Sequence, residues 1–197
     1  MTRPSFRLRR PAALLAVLLA SGGLAACGDH PNEHASVVTA ANEGLYLSIG
    51  ELKYQVQSSR QLNPNDVEDK AFLEGVPADQ RALKPNEVWF GVFLQVENQG
   101  STAMRPYGDI EIDDTQDEVF KPLTLGHTNL FAYRPNDLIP AKQILPLQDT
   151  PAYNSVNRGS MLLFKLTLTA LDNRPLELKI VGTTATPKQT GIIDLDV

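Results

Sequence analysis

Residues 87–97 read EVWFGVFLQVE, and this stretch decides the fold. Val88, Phe90, Val92, Leu94 and Val96 fall at every second position. A period of two places all five on one face of an extended strand, and a face that apolar must look into a core. Trp89 and Phe93 fall on the opposite face, with Gly91 between them. Asn98-Gln99-Gly100-Ser101 then carries the residue types of a turn.

Working towards the N-terminus, Leu52, Tyr54 and Val56 alternate with Lys53, Gln55 and Gln57, which predicts a half-buried strand. A shorter strand is predicted over 44–49. Residues 62–86 interrupt the sheet with Pro64, Pro77 and Pro85. Inside this excursion a short helix is predicted over Asp66 to Glu74, capped by Asn65 or Asp66 and stopped at Gly75, with Val67, Ala71 and Phe72 on one face.

Towards the C-terminus, strands are predicted at Ala103 to Tyr107, Ile110 to Ile112 and Val119 to Lys121. The last two form a hairpin through Asp114-Thr115-Gln116-Asp117. Residues 122–159 hold Pro122, Pro135, Pro140, Pro146 and Pro151, too many missing amide donors for a central strand, so they read as a long connection. Met161 to Leu168 is a nearly continuous apolar run, predicted to be a strand near the middle of a sheet. Leu176, Leu178 and Ile180 alternate after the turn Asp172-Asn173-Arg174-Pro175, and the tail at Ile192 to Leu195 reads as an edge strand or a frayed end. Seven to eight short strands, turn signals between them and almost no helix predict an all-β antiparallel sandwich.

The first residues have a different character. Arg3, Arg7, Arg9 and Arg10 precede the uncharged run Ala12 to Ala20, which is shorter than the roughly 20 residues a bilayer-spanning helix needs. Small residues follow, and then Leu24-Ala25-Ala26-Cys27, which resembles the bacterial lipobox. That resemblance implies cleavage before Cys27 and a diacylglycerol on its sulfur. Cys27 is the one cysteine in the chain, and an unpaired thiol in an exported protein asks for such an explanation. The expected organisation is a signal peptide over 1–26, a lipidated cysteine and flexible tether over 27–43, and a sandwich over 44–197. The expected location is the extracytoplasmic face of a cell membrane, held there by lipid.

Two motifs carry a further resemblance. Gly50-Glu51-Leu52-Lys53-Tyr54-Gln55-Val56 and Val96-Glu97-Asn98-Gln99-Gly100, followed by Ile110-Glu111-Ile112-Asp113, are similar to the immunoglobulin-like domains of bacterial lipoproteins of the DUF4352 type. The resemblance spans roughly residues 44–181. It implies an immunoglobulin-like sandwich and brings no catalytic residues with it. The excursion at 62–86 and the stretch at 122–159 are longer than the resemblance implies.

Charge narrows the partners. Four of the 18 Lys and Arg residues lie in the leader and all 23 acids follow it, so the mature chain would carry about −9. Nucleic acid and anionic lipid both reward cations, which makes them poor partners. No G-x-S-x-G or S-x-x-K motif is present, and no enzyme or cofactor is expected. His30 and His34 stand four apart but flank Pro31, and His127, Met104 and Met161 would make a soft copper site only if they converged. Asp109, Glu111, Asp113, Asp114, Asp117 and Glu118 read as the wet face and turn of a hairpin, not as a calcium cage. Trp89 and Phe93, with Phe131 and Tyr133, are the candidate interaction surface. The competing reading, which is favoured, covers them with Phe72 or Leu73 from the excursion. The expected function is a binding or assembly module for an envelope protein. An extracytoplasmic copper carrier is the alternative.

Overall fold

The computed structural model of the chain describes residues 35–195. In chain order they form β1 (Ser36–Ala40), β2 (Tyr46–Ile49), β3 (Leu52–Leu62), α1 (Val67–Phe72), β4 (Glu87–Asn98), β5 (Ile110–Asp113), β6 (Val119–Phe120), β7 (Ile144–Leu145), α2 (Pro151–Asn154), β8 (Ser160–Thr167), α3 (Leu168–Asp172), β9 (Leu176–Gly182) and β10 (Gln189–Leu195). One sheet runs β1-β10-β9-β5-β6. The other runs β2-β3-β4-β7, with β8 also on β4. All pairings between these strands are antiparallel except β1 with β10. The all-β sandwich is therefore as the alternation predicts, with ten strands among the described residues where seven to eight were expected.

The main core lies between the sheets. Leu52, Tyr54 and Val56 of β3 and Phe90, Val92, Leu94 and Val96 of β4 meet Ile110, Ile112, Leu178, Ile180 and Ile193 from the facing sheet. A second core lies on the outer face of the β3–β4–β8 sheet, built from Leu62, Phe72, Trp89, Phe93, Leu125, Met161 and Leu163. One irregularity adds Leu62 to it. The register of β3 against β4 shifts between Val56 and Ser58. Before the shift, even-numbered residues of β3 pair with Val96 and Leu94. After it, Arg60 and Leu62 pair with Gly91 and Trp89. A one-residue bulge moves every later side chain to the other face, so Leu62 leaves the main core and joins the second.

Four expectations are corrected. Part of the stretch expected as tether, Ser36–Ala40, is strand β1, with Ala40 buried. Ala103 to Tyr107 forms no strand and offers a single bridge, Met104 with Ile139. The apolar run of β8 pairs along its length with β4 alone. Its apolarity comes from having a core on each face: Leu162, Phe164 and Leu166 enter one, Met161 and Leu163 the other. The tail is neither edge nor frayed, since β10 sits between β1 and β9. Gly191 hides this strand in the sequence, yet a Cβ there would meet Leu47 and Ile49 of the facing sheet, so glycine marks a close approach of the two layers.

Candidate binding cleft

The aromatic platform is covered. Trp89 is 4% exposed and Phe93 is fully buried. Phe72 meets Phe93 edge to face at 5.0 Å and Phe131 at 4.8 Å. The helix that delivers Phe72 is fixed at both ends. Asp66 caps it, accepting from the N–H groups of Glu68 at 2.8 Å and Asp69 at 3.2 Å. At the other end the buried Asn129 donates to the carbonyls of Phe72 (2.9 Å) and Glu74 (2.8 Å), and Gly75 turns the chain with φ of 72°. Asp69 ties the helix to the sheet through Arg60, and those hydrogen bonds hold its carboxyl below the usual carboxylate range. Phe131 is half-buried and Tyr133 buried, so the four aromatics do not form an exposed interaction surface.

Cys27, the lipobox residues Leu24, Ala25 and Ala26, and His30 and His34 lie outside the described residues. The copper trio does not converge: Met104 packs against the main core and Met161 lies in the second. Among the described residues no group of three His, Cys, Asp or Glu side chains is placed to hold a metal. The hairpin acids are engaged with cations and the turn. Lys179 binds Asp113, Lys121 binds Glu111 at 2.5 Å and Asp109 at 3.6 Å, and buried Asp114 accepts from the N–H groups of Gln116 and Glu118.

Two hollows remain. A broad, open one of about 800 Å³ lies between α1 and residues 154–157, with the Arg60–Asp69 pair in its lining. A more enclosed cleft of about 560 Å³ opens where β5 and β8 face each other, walled by residues 108–110, 121–125 and 132–137. Tyr133, Met161 and Leu162 contribute apolar walls, and all three are buried. The volume is that of a small-ligand site, and the lining sets these walls beside charged and polar side chains that include Lys121, Thr124, Arg134 and Asn136.

The polar groups of this cleft are set by the long connection. Tyr133 donates its hydroxyl to the carbonyl of Tyr107 at 2.6 Å, and the N–H of Tyr107 donates to the Tyr54 hydroxyl at 2.8 Å. Burial pushes the Tyr133 hydroxyl far above its ordinary pKa, and the neighbouring Tyr54 adds to this, so the ring serves as wall and strut. The outer edge of β8 is occupied by the same connection: Met161 N–H donates to Phe131 O and Tyr133 N–H to Met161 O. His127 stands exposed at the rim. Arg134 is half-buried and spends Nη2 on the carbonyls of Gly126 and Asn129, each at 3.0 Å. Unlike Lys121, it has no carboxylate within 4 Å among the described residues. Of the residues singled out in the sequence, the fold thus brings His127, Tyr133 and Met161 to one cleft and leaves Met104 elsewhere. Arg134 was missed, and nothing in its local sequence marks it.

We find no family profile that the chain matches and no curated protein that resembles it in sequence. Solved structures do resemble it. A functionally unknown protein from Listeria monocytogenes EGD-e superposes with a TM-score of 0.50 at 8% identity, over 79% of this chain and 83% of the other. An uncharacterized β-sandwich protein from Clostridium difficile 630 gives 0.46 at 9% identity, over 82% and 95%. A candidate lipoprotein from Bacillus subtilis, ycdA, gives 0.44 at 10% identity, over 75% of this chain and 38% of the other. At these identities the likeness is one of fold alone.

Proposed function

We propose that this chain is an extracytoplasmic lipoprotein, anchored by a diacylated Cys27, whose immunoglobulin-like domain of the DUF4352 kind is a non-catalytic binding module for an envelope partner. The anchor rests on the order of basic head, apolar run and Leu24-Ala25-Ala26-Cys27. Two acyl chains, at about 0.8 kcal/mol per buried CH₂, hold a domain without a spanning helix. Among the described residues no helix is long and apolar enough to cross a membrane. Because β1 begins at Ser36, nine residues after Cys27, the covalent reach from sulfur to sandwich is at most about 32 Å.

The observation that carries the binding role is the cleft, an apolar-walled hollow with a half-buried guanidinium at the open edge of the sandwich. Its loops hang on a frame with a core on each side of one sheet, which keeps them in place. Two measurements test the proposal. Mass spectrometry of the membrane-extracted protein should find a diacylglyceryl cysteine as the first residue. A photo-crosslinking amino acid at position 124 or 127, both exposed at the cleft, should give a discrete adduct in intact cells. The same probe at Tyr46, exposed on β2, should not. A free thiol on the mature protein removes the anchor, and indistinguishable labelling from all three positions removes the binding site.

A further inference from the structure

We infer that the cleft takes a ligand with an apolar body ending in a single carboxylate, the carboxylate seated on Arg134. This rests on the reading of the domain as a binding module and names the chemistry it would recognise. Arg134 carries a charge with no carboxylate within 4 Å among the described residues. Arg134 is half-buried, its Nη2 is held by two carbonyls, and its Nε and Nη1 make no hydrogen bond among the described residues. The other cation in the lining, Lys121, already has Glu111 and Asp109. Asp137 shares the rim but is more than 4 Å from the Arg134 guanidinium. A guanidinium is a permanent cation with donors in a fixed plane, and its best partner is a carboxylate or phosphate. One uncompensated cation suits a monoanion. A dianionic phosphate would bring a second charge against a rim that also carries Asp109 and Asp137.

The walls specify the rest of the ligand. Tyr133, Met161, Leu162 and Leu125 offer rings, a thioether and methyl groups, and the Tyr133 hydroxyl is already committed to Tyr107. An alkyl or aryl group set against these four side chains would be desolvated, with Thr124, His127 and Asn136 elsewhere in the lining. An apolar carboxylate can be a free medium-chain acid or the C-terminal residue of a peptide. Both present the same chemistry.

The test uses residues 28–197, which contain the whole of both cores. Met104 and Met161 are the two methionines after the leader, so ¹³C-methyl methionine NMR gives a reporter inside the cleft and a control outside it. Sodium octanoate, or a tetrapeptide ending in Leu with a free carboxylate, is titrated beside 1-octanol and the C-terminally amidated peptide. At least one acid should move the Met161 resonance saturably and leave Met104 in place, and its neutral counterpart should bind at least tenfold more weakly. Which acid binds distinguishes a free acid from a peptide terminus. Arg134→Gln should weaken the acid at least tenfold. Because that change also loosens the turn at 126–129, exposed Thr124 supplies a second test. Thr124→Glu should weaken the acid and Thr124→Lys tighten it, each about threefold at low salt. An unmoved Met161 with both acids at 10 mM, equal affinity for the neutral counterparts, or identical affinity in the two Thr124 variants overturns the inference. Crosslinking from positions 124 and 127 does not depend on a carboxylate, so failure here and failure of the binding role are distinguishable.

Discussion

Asp69→Ala tests whether α1 is pinned to the sheet by one carboxylate. Asp69 is 4% exposed. It accepts from Arg60 Nη2 at 2.6 Å, from Arg60 Nη1 at 3.1 Å and from the N–H of Asn63 at 2.7 Å. A hydrogen bond to a charged group contributes about 1.5–3 kcal/mol, and three on one carboxylate do not add. The Arg60 side chain is 37% exposed, so water takes over part of what the variant removes. A loss of about 2–3 kcal/mol follows, or roughly 5–10 °C in Tm for a domain of this size. The pH dependence has a definite sign. The bonds to Arg60 lower the folded-state pKa, against an opposing push from burial. The contribution is therefore complete above the unfolded value near 4 and fades as pH falls through the lower folded value. Urea unfolding followed by circular dichroism should give a constant gap between wild type and variant from pH 7 to pH 5, narrowing below about pH 4. An Arg60→Ala, Asp69→Ala double-mutant cycle should show coupling above about 1 kcal/mol at pH 7. A gap that is the same at pH 7 and pH 2.5, or a coupling near zero, refutes the reasoning.

Three further outcomes follow from the packing. Phe72→Ala removes the lid of the second core and should cost about 3 kcal/mol, with a red shift in the emission of Trp89, the one tryptophan of the chain; unchanged emission would mean the aromatic face is covered by something else. Gly191→Ala drives a methyl group into Leu47 and Ile49 and should lose about 1–3 kcal/mol by denaturant titration, whereas Gly44→Ala, with open space around it, should lose only through its φ of 77°. Fully buried Asn98 donates to the carbonyls of Thr102 (2.7 Å) and Ile139 (2.9 Å) and accepts from Gly100 N–H (2.9 Å). Asn98→Leu should therefore cost about 2–3 kcal/mol in thermal unfolding, and a neutral result would show that water reaches those groups.

The main core was legible because alternation is written one residue at a time: Val88 to Val96 and Leu52 to Val56 name their face without help from the rest of the chain. The start of helix α1 was legible for a similar local reason, with Asp66 as cap, whereas it ends at Phe72, short of the expected Glu74, and leaves Val67 exposed instead of sharing the buried face of Phe72. The second core was half-legible. Trp89 and Phe93 announced an apolar outer face, and Phe72 was a visible candidate to cover it. The bulge that sends Leu62 and Arg60 to that face has no local signature in Gln57-Ser58-Ser59. Strand β10 was underread because Gly191 looks like a breaker when its partner Ile49, more than a hundred residues away, is unknown. β1 was hidden for a different reason: Ser36–Ala40 carries only Val38 and Ala40 towards the core, and its pairing with β10 is long-range and parallel.

The cleft could not be read as a cleft, because it is assembled from four separated segments, two of them in a stretch whose prolines mark it only as a connection. That stretch is also where stability and binding meet. Leu123, Leu125 and Phe131 pack with the second core, so a deletion of 122–159 would disrupt that core together with the cleft. Point changes at Arg134 and Thr124 separate the two roles, and Arg134 shows why separation is needed. Its Nη2 holds the carbonyls of Gly126 and Asn129; the side chain of Asn129 holds the carbonyls of Phe72, the last residue of α1, and Glu74; Gly126 N–H holds Gly75 O at 2.8 Å. A carboxylate that accepts from Nη1 alone while leaving Nη2 in place braces this chain of contacts, so occupancy of the cleft should slow hydrogen exchange at Phe72 and Leu73 on the other side of the loop. A carboxylate that competes for Nη2 would instead release the turn and speed exchange there. The sign of that change reports which edge of the guanidinium the ligand uses.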